Sequence, residues 1–358
     1  MLKIFKKKAN RLLGIDISPS SVKLVELSHT ADRYTLEAYA IGPLPCGAIA
    51  ERQIVDPELV GQVIAQLVQQ TGTQAKYAAV ALAGSAVITK MIEMEAGLAG
   101  DELESLLQIE AEQHIPYPLA DVAIDFTVQQ AVGQAANKAH VLLVACRKEH
   151  IEVREVALAV AGLKAKVVEI EAHALERAYP LLADQLGPQT AGQVVAVVDI
   201  SASLMTLSVL QNGQTLYSRE QALAGHPLNQ HSQRGSALFV QVEGQTTKSS
   251  AFSTDSIDKD LSPLEDAVIE HLTRALQFFF AAGQHSTVDI IVLAGAVSTS
   301  AGLEQQVQSQ LGRPTLVANP FIAMQLSKTV NAAALVRDAP SLLIACGLAM
   351  RGLADDRD

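Results

Sequence analysis

Two short strings in this sequence have residue types and spacing suited to holding a phosphate. Asp16-Ile17-Ser18-Pro19-Ser20 and Asp199-Ile200-Ser201-Ala202-Ser203 share the pattern Asp-Ile-Ser-x-Ser. An apolar run precedes each: Leu12-Leu13-Gly14-Ile15 before the first, Val194-Val195-Ala196-Val197-Val198 before the second. A β-type run follows each: Val22 to Leu27, then Leu204 to Leu210. That order predicts strand, tight polar turn, strand in both halves. A turn of small hydroxyl residues presents backbone N–H groups and hydroxyls to an anion. A carboxylate at the end of the preceding strand can hold a hydrated Mg²⁺ against that anion. Taken singly, an Asp-x-Ser turn reads as an ordinary hairpin. Two of them at corresponding places predict a polyphosphate clamped between two lobes, with Asp16 and Asp199 meeting one Mg²⁺ through water.

Other residues join this set at lower specificity. Lys23 lies in the strand after the first turn, placed to reach back to a β- or γ-phosphate as a point charge; alone it reads as an exposed strand lysine. The second hairpin has Thr206 at the same offset, so the halves are chemically unequal. Gly295 and Ala296 end an apolar strand ahead of Ser298-Thr299-Ser300, a strand-to-helix turn that permits close approach of a purine or phosphate. By itself that turn is generic. Glu171, after Val167-Val168-Glu169-Ile170, can orient a hydrolytic water or simply favour a helix N-terminus. The phosphate loop ending in Gly-Lys-Ser/Thr, the Gly-x-Gly-x-x-Gly fingerprint and the Gly-x-Ser-x-Gly nucleophile elbow are all absent from the sequence. Its nine histidines show no metal-ligand spacing.

The elements that must position these residues predict an α/β chain of two lobes. The first lobe takes residues 14–84 and 164–190, with a helix from Leu59 to Thr71 and a buried strand from Tyr77 to Ala83. Residues 85–163 read as an inserted strand–helix–strand–strand–helix subdomain, its first helix opening at Asp101 and stopping at Pro116-Tyr117-Pro118. Helices are also expected over 172–182, 264–282, 302–311 and 342–351. The second lobe takes residues 191–358. Within it, 224–262 is rich in Gln, Ser, Thr and Gly and reads as irregular.

Composition bounds the partners. The chain has 358 residues, 49% of them apolar, enough for two cores. A net charge of −11 and the absence of Trp argue against nucleic-acid binding. Cys46, Cys146 and Cys346 are far apart and form no Cys-x-x-Cys, as expected of thiols in a reducing cytoplasm. Apolar runs stop short of the roughly 18 residues a spanning helix needs, so no membrane span is expected. Residues 1–13 carry Lys3, Lys6, Lys7, Lys8 and Arg11 among Leu2, Ile4, Phe5, Leu12 and Leu13. They lack the apolar core of a secretory signal. They suit either contact with an anionic membrane surface or a solvated tail.

Longer strings carry a resemblance. Leu13-Gly14-Ile15-Asp16-Ile17-Ser18 through Leu27, Glu110 through Leu119, Leu276-Gln277-Phe278-Phe279-Phe280-Ala281-Ala282 and Ala318-Asn319-Pro320-Phe321 resemble the PilM family of type IV pilus assembly proteins, related to FtsA within the actin-like ATPase superfamily. The resemblance covers nearly the whole chain. It implies a two-lobed actin-like, ribonuclease H-like fold with an FtsA-type inserted subdomain. It further implies an ATP and Mg²⁺ site formed by Asp16, Ser18, Ser20, Ser21 and Lys23 from one lobe and Asp199, Ser201 and Ser203 from the other, with Gly295 and Ala296 at the adenosine and Glu171 orienting water. Any hydrolysis it implies is slow. The implied partner is the N-terminal cytoplasmic tail of the inner-membrane protein PilN, held in a groove of the first lobe beside the inserted subdomain, together with other inner-membrane pilus components. The implied location is cytoplasmic, at the inner membrane. Two departures stand out. Gly295-Ala296 replaces the family's Gly-Gly, and 224–262 lacks the family's Glu- and Lys-bearing helical segment, so weak ATP binding is expected. An FtsA-like filament-forming adaptor and a small-molecule kinase on the same fold are the alternatives.

Overall fold

The computed structural model describes residues 12–30, 33–50, 52–95, 97, 100–129, 138–187, 192–201, 203–223, 262–283 and 286–354. The basic segment up to Arg11 and the polar stretch from 224 to 261 lie outside the described residues.

Two sheets repeat one plan. In the first lobe, β1 (Leu12–Ser18) pairs antiparallel with β2 (Ser21–Thr30), which pairs antiparallel with β3 (Arg33–Pro43). A small hairpin, β4 (Ile49–Ala50) with β5 (Gln53–Ile54), follows. On the other side of β1 lies parallel β6 (Tyr77–Leu82). Strands β7 (Val87–Glu95), β8 (Val122–Gln129) and β9 (Lys138–Arg147) form a separate antiparallel sheet in the order β7-β9-β8. Strand β10 (Lys164–Ile170) returns to pair parallel with β6. The second lobe repeats the pattern. β11 (Val194–Ile200), β12 (Leu204–Gln211) and β13 (Gln214–Ala222) form the antiparallel meander, and β14 (Ile290–Ala294) and β15 (Thr315–Val317) add in parallel, giving β13-β12-β11-β14-β15.

The central strands are buried on both faces, which is why they read as continuous apolar runs. Leu13, Ile15, Ile200 and Leu207 are fully enclosed, each such side chain contributing about 1.5–3 kcal/mol by burial. Helix Pro57–Thr71 starts where the Asp56 side chain accepts from the Leu59 N–H, with Pro57 in its first turn, and stops at left-handed Gly72.

Three expectations are corrected by the packing. Helix Lys148–Val160 was expected inside the inserted unit, but its Ala157 and Leu158 complete the first-lobe core with Val60, Ile64 and Val80. Among the described residues, the inserted sheet is covered by helix Gly100–His114, through Leu103, Leu107 and Ala111. The chain's last part was expected in the second lobe. Instead, β16 (Gln325–Leu326) joins the first sheet beside β3, and Leu335, Leu342, Ala345, Cys346 and Met350 pack on Val25, Leu27 and Leu36. Lastly, residues 332–353 are long and apolar enough by composition to cross a membrane, where none was expected to be. In the structure this stretch is broken at Pro340 and two-thirds of it is buried, the pattern of a core helix pair.

Helix Glu171–Ala178 and helix Leu343–Ala354 cross where the lobes join. A Cβ on Gly347 would come within 1.8 Å of the Ala174 carbonyl oxygen, so only glycine lets the two backbones touch there.

Candidate functional site

Both Asp-Ile-Ser turns reach one cleft between the lobes, a cavity of about 560 Å³. Their registers match: Asp16 stands opposite Lys23 across the first hairpin, and Asp199 opposite Thr206 across the second. Asp16, Ser18, Lys23, Glu171, Asp199, Ser201 and Thr206 all line the cleft. Ser20, Ser21, Ser203, Gly295 and Ala296 do not line it. Ser21 accepts at its carbonyl from the Ser18 hydroxyl (2.9 Å), and the Ser201 hydroxyl closes its own turn on the Leu204 carbonyl (3.0 Å). Gly295 lies behind the second turn, at φ +85, with no space for a side chain between it and the Ile200 backbone or the Asp199 carboxylate.

The two hairpins differ electrostatically. Lys23 Nζ donates to Asp16 Oδ2 at 2.7 Å and reaches Ser18 Oγ at 3.3 Å, with both members of the ion pair buried. Burial opposes the lysine charge, but Asp16, Asp199 and Glu171 outweigh it and hold the ammonium above its usual range. Asp199 faces a neutral threonine instead. Burial pushes its carboxyl up, Lys23 pulls it down, Asp16 pushes it up again, and the net direction is upward. Glu171 is pushed up to about 7 by burial, with Arg52 opposing and Asp16, Glu220 and Asp199 reinforcing.

Arg52 and Glu220 also line the cleft, and sequence reasoning missed both. Arg52 occupies the tight link between β4 and β5 in the left-handed region, φ 63. Its Nη2 donates to both oxygens of Glu171 at 2.9 Å, and its Nε lies 3.3 Å from Glu220 Oε2. Glu-Arg is not a left-handed turn signature, so nothing in the sequence marks it. Glu220 comes from β13, whose presence was signalled by Asn212-Gly213. Both residues have positive φ (53 and 78), as a two-residue hairpin turn requires.

A second concavity of about 230 Å³ lies between the inserted sheet and the first lobe. Val87, Ile88, Val122 and Ala145 supply apolar surface, and Arg147, stacked 5.5 Å over the exposed Tyr117 ring, lies at its side. Among the described residues, no carboxylate lines this groove.

Comparison with known proteins places the chain. The family model for type IV pilus assembly protein PilM matches residues 14–353. A solved PilM–PilN type IV pilus biogenesis complex is similar over 96% of this chain and 98% of that one, with a TM-score of 0.72 and 26% sequence identity. More distant likenesses are the ethanolamine utilization protein EutJ from Carboxydothermus hydrogenoformans (16% identity, TM-score 0.46, 94% and 88% covered) and a protein of actin-like ATPase fold from Bacteroides thetaiotaomicron (11%, 0.42, 91% and 96%). The fold is the two-lobed actin-like α/β arrangement, as its repeated sheets already indicate.

Proposed function

This chain belongs to the PilM family of type IV pilus assembly proteins, and we propose that it is a cytoplasmic scaffold holding the N-terminal cytoplasmic tail of the inner-membrane protein PilN. The observation that carries this reading is the preformed groove between the inserted sheet and the first lobe, apolar along Val87, Ile88 and Val122. An extended peptide can bury an apolar side chain in such a groove without any catalytic residue. The similar solved structure is itself described as a complex with PilN. On this reading the protein sits at the cytoplasmic face of the inner membrane, in contact with other pilus components there; Leu12 and Leu13, expected in the basic segment, are buried in β1, so lipid contact is left to the lysines and Arg11 ahead of it.

Mg-ATP is the ligand proposed for the interlobe cleft. The cleft's volume falls within the range of about 300–1,000 Å³ usual for small-molecule sites. Its chemistry fits a metal-bound anion better than a bare one. Asp16, Glu171, Glu176, Asp199 and Glu220 outnumber Lys23 and Arg52 along its walls, so a polyphosphate alone would be repelled. Bound Mg²⁺ would supply the missing positive charge, held through water by Asp16 and Asp199. Ser18, Ser201 and Lys23 would meet the phosphates. Glu171 could orient water, but Arg52 already engages both its oxygens, which suits a conformational ligand better than rapid turnover.

The test is binding of a fluorescent PilN N-terminal peptide to the full chain by anisotropy. Val87→Arg, which fills the groove, is expected to weaken binding at least tenfold. Lys23→Ala is expected to leave it within about threefold, since no charged cleft residue other than Arg52 touches the groove. Undiminished binding by Val87→Arg places the tail elsewhere.

A further inference from the structure

One side-chain contact spans the two lobes beside the cleft. Glu220 stands on β13 of the second lobe, yet both its side-chain partners come from the first. Ser85 donates its hydroxyl to Glu220 Oε2 at 2.9 Å, and Arg52 Nε lies 3.3 Å from the same oxygen. Arg52 is itself anchored: its Nη2 engages both Glu171 oxygens, so the guanidinium is fixed on the first lobe and presents its remaining edge to the second. The left-handed backbone at Arg52 and the short turn Gly84–Ala86 deliver the two donors to this point. Gly84 brings the first-lobe backbone close to the carboxylate; a Cβ there would be 3.9 Å from Glu220 Oε1.

Other cross-lobe contacts are of a different kind. The Thr215 N–H donates to Glu176 at 2.8 Å, and Gln185 bonds the Val317 carbonyl and the Asn319 N–H. Glu176 and Gln185 follow one another on the helical connection between the lobes, where a hinge rotation leaves partners together. Arg52 and Ser85 lie on loops outside that connection. Rotation of the lobes must separate them from Glu220.

We infer that Glu220, caught between Arg52 and Ser85, is an interlobe latch that keeps the unliganded protein closed. Arg52 and Glu220 are each about four-fifths buried, which shields their charges from salt more than those of a surface pair, while Ser85 is exposed. The latch is nevertheless only one ion pair and one hydrogen bond, weak enough to open in ordinary thermal motion once either is lost.

The experiment measures the distance between bio-orthogonal spin labels at Gln69 and Gln310, on exposed faces of a first-lobe and a second-lobe helix, in the full chain without ligand. Wild type is expected to give one narrow distribution. Glu220→Ala is expected to shift it to longer distances and broaden it, with Ser85→Ala intermediate. Glu220→Gln keeps a hydrogen-bonding group but loses the charge, and is expected to fall between wild type and Glu220→Ala, so the series remains readable if the alanine variant folds poorly. Overlaying distributions for wild type and all three variants would overturn the latch. So would a broad, open distribution in unliganded wild type.

Discussion

The two Asp-Ile-Ser hairpins share sequence, register and position, yet one is electrically complete and the other is not. In the first, Asp16 has Lys23 directly opposite at 2.7 Å; in the second, Asp199 has Thr206. A duplicated scaffold therefore carries unequal chemistry at one register position. The paired carboxylate serves the fold as it stands. Asp199, with no ion pair among the described residues, is held at an electrostatic cost that a cation in the cleft would relieve. The difference teaches that backbone repetition identifies a shared site, while the residue facing each aspartate decides which half is waiting for a ligand.

The comparison breaks most readily on stability. Asp16→Ala leaves Lys23 buried without its partner, and is expected to destabilise the protein by about 3–5 kcal/mol. Asp199→Asn removes a carboxylate whose ionised form burial disfavours, and is expected to be neutral or stabilising at pH 7. Urea denaturation of both variants decides it, and equal losses would mean the hairpins are not different in kind.

The next effect is on pH dependence. Glu171 titrates near 7 in the folded protein against the ordinary 4.5. Between those values the folded chain binds the proton and the unfolded chain does not, so this group lowers stability as pH rises through the window and adds no further slope above it. Glu171→Gln is expected to remove about 3 kcal/mol of that decline. Denaturation midpoints from pH 4 to 8, in wild type and variant, read the difference directly. A parallel pair of curves would show that Arg52 neutralises Glu171 more fully than burial opposes it.

The smallest expected effect sharpens the comparison at the ligand. Thr206→Lys gives the second hairpin the residue of the first, and so supplies Asp199 with a cation of its own. It is expected to weaken the Mg²⁺ dependence of ATP binding by a few-fold in calorimetry, because the carboxylate would no longer need the metal. An unchanged Mg²⁺ dependence would place the metal on Asp16 instead.

Much of this was legible in the sequence where local pattern and tertiary role coincide. The apolar runs before Asp16 and Asp199 announced buried central strands, and the turns between Ser18 and Ser21 and between Ser201 and Leu204 followed from their small polar residues. The inserted sheet was legible from Val87, Ile124 and His140 onward, because these runs are β-type and Pro116-Tyr117-Pro118 stops the helix between. What the sequence did not disclose depends on partners distant along the chain. Nothing at Leu335 or Cys346 says which sheet will cover it, since an apolar helix fits either lobe. Arg52 has an unremarkable neighbourhood, and its role comes entirely from Glu171 and Glu220 arriving beside it. Asn212-Gly213 was a readable hairpin signal, and following it would have supplied β13 and with it Glu220.

The return of the last segment to the first sheet has a consequence for how the protein is made. Val25, Leu27 and Leu36 leave the ribosome well before the side chains that cover them, Phe321, Leu335, Leu342, Cys346 and Met350, which follow the strands of the second sheet. Until those residues emerge one face of the first lobe is therefore apolar and uncovered, while the second sheet can already assemble through β14. A chain that stalls late in synthesis would present that bare face to chaperones or to neighbouring chains. The first lobe to be started is thus the last to be finished.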